Sequence, residues 1–469
     1  MYDNIILLSQ KKKGMEFFMK KLNFKTHKNQ NGITLVALVI TIIILLILAG
    51  IAIASFTGDN GLITRAQEAR TKTDKAQERE GIEIAVASSR MEDVDTLEIT
   101  EEKLSDAIKQ QFGNNKDFSI TDNEDGSFLV SMNDTQRMYY IDETGEIIDQ
   151  SKILKISTAD ELKSFRDDVN SGNTYEGWYI YLANDITLDI NEEWQPIGNR
   201  ECIFQGIFDG NKFEINGIYI NTSEMDQGLF GYINNATVKK LGIGQNCNIV
   251  GGNYTGSIVG TAYDKAKIID CYNKSYIHGN AISGGIAGQL TQDGLISQCY
   301  NIGSITVSNN YAGGICGSAD NNSTVEKCYN ISTITGNNYI GGIVGYLQTG
   351  ALLQNCYNTG SISGSTRIGG ICGEILGQGI KTYIKNSYNI GSITGTDLVC
   401  GIARCWDGGI VVNSFYLENS VNGSNDNILN EGSSYMSSNE IKQAFNLLGE
   451  SFKEDVNNIN NGYPILNWQ

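Results

Sequence analysis

Histidine is scarce in this sequence of 469 residues, which has only His27 and His278. A zinc protease site of the form His-Glu-x-x-His needs two histidines one helical turn apart, so the sequence excludes that class of site. The sequence also lacks a Gly-x-Ser-x-Gly motif and a phosphate-binding loop, and its acidic residues follow no metal-ligand spacing. We therefore expect no catalytic, cofactor-binding or metal-binding residues.

Positive charge is also in short supply. The chain has 35 Lys and Arg against 53 Asp and Glu, which gives a formal net charge of −18. Such a surface repels the phosphates of nucleic acids and of anionic lipids, so we expect no nucleic-acid partner. An acidic surface favours solubility, and it could also meet cationic surfaces or carbohydrate.

Helical periodicity is missing from the middle of the chain, where a short glycine phrase recurs instead. The phrase begins at residues 228–231 with Gly-Leu-Phe-Gly, and its copies follow at intervals of 28 to 31 residues as far as Cys400. A fixed period of this size indicates stacked coils. Twelve glycines define the phrase, and we expect them to be structural: Gly228, Gly231, Gly256, Gly260, Gly284, Gly288, Gly313, Gly317, Gly341, Gly345, Gly369 and Gly373.

A second phrase, Cys-Tyr-Asn, follows the first with the same period. Each repeat predicts three short strands: one over the glycine phrase, as in 339–345, one leading into the cysteine, and one at Gly-Ser-Ile. Stacking these strands gives a parallel β-solenoid of seven coils. Ile343 and Val344 are both apolar, although neighbours in a regular strand face opposite sides. Either the glycines bend this strand, or something covers its outer face.

The cysteines and asparagines of the second phrase have structural explanations. A cysteine at the same place in consecutive coils can act as a small buried hydrophobe. The asparagines are expected at a corner, where their amides can bond to one another. Cys202 with Cys247 and Cys400 with Cys405 remain open as disulfides. The phrase residues are Cys271, Cys299, Cys328 and Cys356, with Asn273, Asn301, Asn330, Asn358 and Asn389.

The glycine phrase resembles the GLUG-type repeat, which is named for Gly-Leu-x-Gly. Residues 228–231 match it closely, and the later Gly-Gly-Ile-x-Gly copies match it loosely. The resemblance covers residues 227–420 and implies a β-solenoid of the kind that occurs in bacterial surface and secreted proteins. Some of those proteins also have a metalloprotease domain, but that activity does not carry over because the histidine motif is absent.

One long apolar segment lies near the N-terminus. Residues 33–54 contain no charged side chain and are long enough to cross a bilayer as a helix. Seven lysines precede this segment, and positive residues stay on the cytoplasmic side of a membrane. The pattern predicts a single-pass membrane protein with its C-terminal bulk outside the cell.

The start of the apolar segment, at residues 31–38, resembles the type IV prepilin cleavage motif. The resemblance implies that a prepilin peptidase cuts between Gly32 and Ile33, that Ile33 is then N-methylated, and that the helix can contact other pilin subunits. Most pilins have glutamate at the fifth mature position, where this chain has Ala37. In related secretion systems, the pseudopilin that lacks this glutamate lies at the filament tip and carries an enlarged head.

These patterns predict a mainly β chain in six parts. They are a basic leader that is removed (1–32), a transmembrane and stalk helix (33–90), a small α+β pilin-like head (91–152), an N-terminal cap with the first coils (153–226), the GLUG-type solenoid (227–420) and a C-terminal cap (421–469). Capping boxes at Thr158-x-x-Glu161 and Ser437-x-x-Glu440 predict a helix in each cap, and the second helix is expected to run to Leu448. Met15 and Met19 are alternative starts. Removal of the leader takes away seven of the 35 basic and two of the 53 acidic residues, so 28 and 51 remain and the charge becomes −23.

The function predicted from the sequence is non-catalytic: a type IV pilin-like protein, a minor pilin or pseudopilin, displays a β-solenoid at the cell surface for adhesion or recognition. Its ligand would be carbohydrate or protein, and it would contact the residues that vary between copies of the repeat. One alternative is a membrane-anchored surface protein that never joins a filament. A second is a polysaccharide lyase or hydrolase, which would need carboxylates clustered on one outer face of the solenoid.

Overall fold

The structure is a computed structural model that describes residues 39–46, 62–91, 99–123, 126–423 and 433–469. The chain divides into two units, Met1–Gly81 and Ile82–Gln469, and each is described by itself. The second unit is mainly β and contains a parallel β-solenoid of about ten turns, since two of its sheets have ten strands each. The predicted solenoid is confirmed, and the coils of the seven glycine phrases are extended by turns that other residues form.

In the first unit, residues 39–46 are helical. Helix α1 (Leu62–Met91) begins in the first unit and ends in the second. The rest of the predicted membrane segment at 33–54 lies outside the described residues, as do Gly32, Ile33 and Ala37. Within the ranges that the structure describes, no helix is long and apolar enough to cross a membrane.

A helix and an antiparallel sheet follow in the second unit. Helix α2 (Glu101–Phe112) begins at Thr100, whose hydroxyl accepts a hydrogen bond from the backbone N–H of Lys103, and it ends at Gly113. The strands pair in chain order: β1 (Phe118–Asp122), β2 (Phe128–Met132), β3 (Arg137–Ile141) and β4 (Ile147–Asp149).

Four parallel sheets form the walls of the solenoid, and two of them carry the chain from the glycine phrase to the cysteine. Sheet I has seven strands, which come directly after the glycine corner: Phe230–Asn234, Val259–Tyr263, Ala287–Leu290, Cys316–Ala319, Val344–Gln348, Cys372–Leu376 and Arg404–Trp406. Sheet II has ten strands: Ile153–Ile156, Tyr179–Leu182, Ile207–Asp209, Thr237–Lys239, Lys267–Ile269, Leu295–Ser297, Thr324–Glu326, Leu352–Gln354, Thr382–Lys385 and Gly409–Val412.

The other two sheets bring the chain back to the next glycine phrase. Sheet III contains the Tyr-Asn pairs: Ile186–Thr187, Glu214–Asn216, Gly242–Ile243, Tyr272–Asn273, Tyr300–Asn301, Tyr329–Asn330, Tyr357–Asn358, Tyr388–Asn389, Ser414–Leu417 and Ser433–Met436. Sheet IV has twelve strands: Tyr219–Asn221, Asn248–Thr255, Tyr276–Gly284, Ile305–Val307, Asn310–Gly313, Ile334–Thr335, Asn338–Gly341, Ile362–Ser363, Thr366–Gly369, Ile393–Thr394, Asp397–Cys400 and Val421–Asn422.

The glycine phrase bends the chain between two sheets. The single strand predicted at 339–345 is wrong, because one strand ends at Gly341 and the next begins at Val344. Ile343 and Val344 are both fully buried on the two sides of this corner. The bend therefore explains why both positions are apolar, and the core receives one more side chain from each coil.

The asparagines form the predicted ladder. The Nδ2 group of Asn273 donates to Oδ1 of Asn301 at 2.8 Å, and Asn301 donates in the same way to Asn330 at 2.7 Å. Two more links continue through Asn358 to Asn389. Each amide also donates to a backbone carbonyl two residues ahead, as from Asn330 to Ser332 at 2.9 Å. The ladder satisfies polar groups that are fully buried, so it holds the corner in register from coil to coil.

The cysteines of the second phrase are fully buried, as predicted, but they also form hydrogen bonds. The backbone N–H of Cys299 donates to the sulfur of Cys328 at 3.4 Å, and the thiol of Cys328 donates to the carbonyl oxygen of Glu326 at 3.0 Å. Ser387 takes the same place in a later coil, where its hydroxyl accepts from the N–H of Cys356 at 3.2 Å. The thiol is thus a polar link as well as a small hydrophobe.

All ten cysteines are free thiols, and nearly all are unavailable to reagents. Burial raises the pKa of Cys271 well above its usual value and that of Cys247 to about 11, so neither forms the reactive thiolate at neutral pH. Cys202 and Cys405 are only half-buried, and burial raises the pKa of Cys405 to about 12. We expect iodoacetamide to alkylate the native protein first at Cys202 and the four phrase cysteines only after unfolding. Peptide mass mapping measures this order, and early labelling of Cys271 would contradict the buried ladder.

Both ends of the solenoid carry the predicted capping boxes. Helix α3 (Ala159–Asn170) begins with Thr158 and Glu161, each of which bonds the backbone of the other. At the C-terminus, Ser437 and Glu440 cap α4 (Ser438–Lys442), and α5 (Phe445–Leu448) follows. The single helix predicted up to Leu448 is wrong, because the chain turns between the two short helices. Two short strands, Phe452–Lys453 and Ile465–Leu466, complete this cap.

Candidate functional site

The outer side of sheet I carries side chains that change from coil to coil. They alternate with core residues and pair in register with the neighbouring coils, so they form one continuous row. Three members of the row, Thr261, Ser318 and Glu374, are nearly fully buried, and the other four are half-buried. Each of them can donate or accept a hydrogen bond. In chain order, this outer row is Tyr232, Thr261, Gln289, Ser318, Tyr346, Glu374 and Arg404.

A second row lies at the corner that leads into sheet I. In every copy, the residue two positions before the first residue of the glycine phrase has a positive φ, between 50° and 64°. Glycine and asparagine are the usual residues in this region, because a Cβ is strained there. This corner row instead contains Asp226, Tyr254, Ile282, Tyr311, Tyr339, Arg367 and Leu398. The corner thus holds large side chains beside the outer row in spite of the backbone strain.

Three tyrosines from the two rows cluster together. The rings of Tyr311 and Tyr339 stack with their centroids 4.7 Å apart, and Tyr346 lies 5.1 Å from the first and 5.4 Å from the second. All three are half-buried, and their hydroxyls have no hydrogen-bond partner in the part of the chain that the structure describes. Burial raises the pKa of Tyr311 and of Tyr346, so their hydroxyls stay protonated and can donate at neutral pH.

An arginine pair borders this tyrosine cluster. The guanidinium of Arg367 lies 4.8 Å from the ring centroid of Tyr339, and its Nε donates to Glu374 at 3.2 Å. Arg404 also pairs with Glu374, and its Nε is buried without a hydrogen-bond partner among the described residues. The carboxylate of Glu374 is almost fully buried between the two guanidinium groups, which fixes both of them in place.

A similar arrangement occurs at the first coil that contains the glycine phrase. Arg200 forms a 2.7 Å ion pair with the buried Asp226, and its guanidinium lies 5.4 Å from the rings of both Tyr232 and Tyr254. The hydrogen bond to Asp226 raises the pKa of Arg200. A cavity of about 630 Å³ opens beside this group, and Trp194 lies in its wall. The same outer face therefore has two groups in which an arginine contacts both an acidic residue and a tyrosine.

The acidic residues of this face are occupied by hydrogen bonds. Asp226 accepts from Thr261 at 2.6 Å, and Asp320 accepts from Gln289 at 3.2 Å and from Thr291. Within the described ranges, no group of three or more His, Cys, Asp or Glu residues could hold a metal ion. The face is thus built for hydrogen bonding and ring contacts.

The predicted site residues lie elsewhere. Gly32 and Ile33 are outside the described residues. The twelve repeat glycines face the backbone of neighbouring coils: a Cβ on Gly256 would meet Ala287 of the next coil, and one on Gly260 would meet Asp226 of the coil before. The tyrosine cluster was not identified in the sequence. The sequence pattern that could have identified it is a tyrosine two positions before the glycine phrase, as at Tyr311 and Tyr339.

Two family models match parts of the chain. The prokaryotic N-terminal methylation motif matches residues 27–53, and the GLUG motif matches residues 336–363. The chain therefore carries a prepilin-type N-terminal motif and a GLUG repeat on a β-solenoid. No curated protein matches the chain.

Two solved structures that match the chain have low similarity to it. One is a candidate immunoglobulin A1 protease from Bacteroides ovatus, with 20% identity, a TM-score of 0.44, and coverage of 68% of this chain and 94% of that one. The other is an IgA1 protease, with 14% identity, a TM-score of 0.41, and coverage of 71% of this chain and 28% of that one. Similarity at this level carries no inference about activity.

Proposed function

We propose that this chain is a type IV pilin-like surface protein, a minor pilin or pseudopilin, that displays its β-solenoid for adhesion or recognition. The methylation motif at residues 27–53 carries the proposal. A motif of this type suggests a location in the membrane or at the cell surface, with processing by a prepilin peptidase. The lysine-rich leader and the uncharged segment at 33–54 have the order that such processing requires.

The part of the chain between the motif and the solenoid supports a reduced pilin head. Ile82, Ala85 and Val86 on the last turns of α1 pack in one hydrophobic core with α2 and the antiparallel sheet. A long helix packed on an antiparallel sheet suits a pilin, whose helix must anchor one end and hold the head at the other. The solenoid would then be an additional domain joined to this head.

We propose that the solenoid is non-catalytic. Its most regular residues are glycines, asparagines and cysteines that join coil to coil. The carboxylates on the outer side of sheet I are held by hydrogen bonds and ion pairs within the protein. A glycosidase or lyase would need carboxylates free to exchange protons with a substrate. Release of reducing ends from a polysaccharide by the purified chain would overturn this part of the proposal.

The N-terminus of the protein in cells tests the processing step. We expect mature chains to begin with methylated Ile33, and a Gly32→Val variant to keep its leader because the peptidase no longer accepts the cleavage site. N-terminal sequencing and the intact mass of the membrane-extracted protein distinguish the two forms. A wild-type chain that retains residues 1–32 in a host with an active prepilin peptidase would contradict the proposal.

Ala37 favours a second candidate, a membrane-anchored protein that stays outside filaments. Without the glutamate usual at this position, the helix has a weaker link to the amino terminus of a neighbouring subunit. Sheared filaments and membranes from the same cells can be probed for the chain. Detection in the filaments supports a minor pilin, and detection only in membranes supports the anchored protein.

A further inference from the structure

We propose that the outer face of sheet I binds an extended neutral polysaccharide, with Tyr311, Tyr339 and Tyr346 at the centre of the site. The inference rests on the proposed function, because it names the ligand that the displayed solenoid would recognise. It is carried by the tyrosine cluster, by the outer row and by the charge of the chain.

The tyrosine cluster offers hydrogen-bonding groups at the spacing of the coils. The stacked rings of Tyr311 and Tyr339 come from successive turns, 4.7 Å apart, and repeat the spacing of the parallel strands. Their hydroxyls and that of Tyr346 have no partner within the described ranges. A chain of pyranose rings repeats its hydroxyl groups at a similar interval, so successive sugars can meet successive coils when the polymer lies along the solenoid axis.

The composition around the tyrosine cluster suits a sugar. Tyrosine and arginine also occur at protein interfaces, but the centre of such an interface is apolar, whereas Ser318, Tyr346 and Glu374 of the outer row are polar. The aliphatic members of the corner row, Ile282 and Leu398, lie in other coils. Hydroxyl, amide and phenol groups predominate, and tyrosine combines an apolar ring with a polar end. A ligand covered with hydroxyl groups and weakly apolar ring faces satisfies both properties.

The charge of the chain favours a neutral polymer. Beside the tyrosines, Arg367 and Arg404 share the single carboxylate of Glu374, which leaves one positive charge, and Arg200 is matched by Asp226. The whole chain has a net charge of −18, which opposes polyanions such as nucleic acid or pectate. Arg404 keeps one buried Nε–H without a partner among the described residues, and this group lies at the same end of the face as the tyrosine cluster.

The left-handed corner is a second observation that points to the same surface. A glycine at Tyr311 and Tyr339 would relieve the strain of a positive φ, yet both positions carry large rings. Their place two residues before the glycine phrase directs them to the edge of sheet I, where Tyr346 meets them. The site therefore combines Tyr311 and Tyr339 from sheet IV with Tyr346 from sheet I.

The test uses the full-length chain in detergent with insoluble cellulose, chitin, xylan and mannan, and with pectate and gelatin as anionic and protein probes. We expect at least one neutral polysaccharide to deplete the chain from solution. The double substitution Tyr339→Ala and Tyr346→Ala should weaken this binding about tenfold or more, as expected for loss of central aromatic residues. The matched control is Tyr276→Ala, since Tyr276 is 40% exposed on sheet IV and should leave binding unchanged.

The double substitution Tyr339→Phe and Tyr346→Phe guards against a folding defect, because it keeps the rings and removes the hydroxyls. It should also weaken binding. Retention by gelatin or pectate alone, retention by no probe, or equal loss in Tyr276→Ala would overturn the inference. N-terminal sequencing of the same preparation separates the two proposals: a chain that begins at Ile33 and binds no polysaccharide overturns the ligand assignment and leaves the pilin proposal intact.

Discussion

Substitution of Gly341 by alanine is expected to lower the free energy of unfolding by about 3 kcal/mol, at the upper end of the usual cost of overpacking. Gly341 ends a strand of sheet IV, and a Cβ there would collide with the carbonyl oxygen of Val344 and with the backbone of Cys372 in the next coil. These backbone atoms cannot retreat without breaking hydrogen bonds between coils. Guanidinium unfolding of the detergent-solubilised chain, followed by tryptophan fluorescence, measures the loss.

Gly379→Ala is the matched control for this substitution. A Cβ added to Gly379 would meet no atom within 4 Å among the described residues, and the φ of Gly379 is +81°. Alanine there meets only the backbone strain of a left-handed residue, about 1 kcal/mol. Gly341 does not have a positive φ, so its substitution isolates the packing effect. Equal losses in the two variants would contradict the close approach of the coils at the glycine phrase.

The period of the repeat was enough to predict the solenoid, because stacked coils must place equivalent residues above one another. It also predicted the asparagine ladder, since an amide repeated at one corner can bond only to its copies in the adjacent coils. The capping boxes at Thr158 and Ser437 were predicted because their hydrogen bonds are local in sequence. The sequence left open whether the glycines bend the strand predicted at 339–345, and the structure divides it into two strands at a corner between Gly341 and Val344.

The candidate binding face was harder to predict for two physical reasons. Tyr311 and Tyr339 have positive φ, a conformation that sequence patterns assign to glycine or asparagine. Their contact with Tyr346 also depends on the angle between two sheets, which the repeat period does not fix. The sequence indicated only that ligand contacts should come from residues that vary between copies, and the tyrosine cluster consists of such residues.

Substitution of Asn330 by aspartate should weaken the solenoid by about 4 kcal/mol at neutral pH, because it buries a charge and breaks two donor contacts. Asn330 is fully buried. Its Nδ2 group donates to Oδ1 of Asn358 at 2.7 Å and to the carbonyl oxygen of Ser332 at 2.9 Å. An aspartate oxygen in that place would face two acceptors. The loss can be measured by guanidinium unfolding of the variant and the wild-type chain.

The penalty should depend on pH in a defined direction. Burial and the facing oxygens would raise the pKa of the new carboxyl group above its value in the unfolded chain. A protonated carboxyl can donate one hydrogen bond, so the variant is closest to the wild type below about pH 4, the pKa of an unfolded aspartate. The penalty then grows as the pH rises, and it becomes constant once the carboxyl is ionised in the folded state as well.

Asn309→Asp provides the control, because it makes the same chemical change at an exposed position. The Nδ2 group of Asn309 donates to Oδ1 of Asn280 at 2.7 Å in contact with solvent, so water can replace this bond and solvate the new charge. We expect a change within about 0.5 kcal/mol, with little dependence on pH. If Asn330→Asp were equally mild, the buried ladder would not hold the coils in register, and the stability of the solenoid would have to come from its aliphatic core alone.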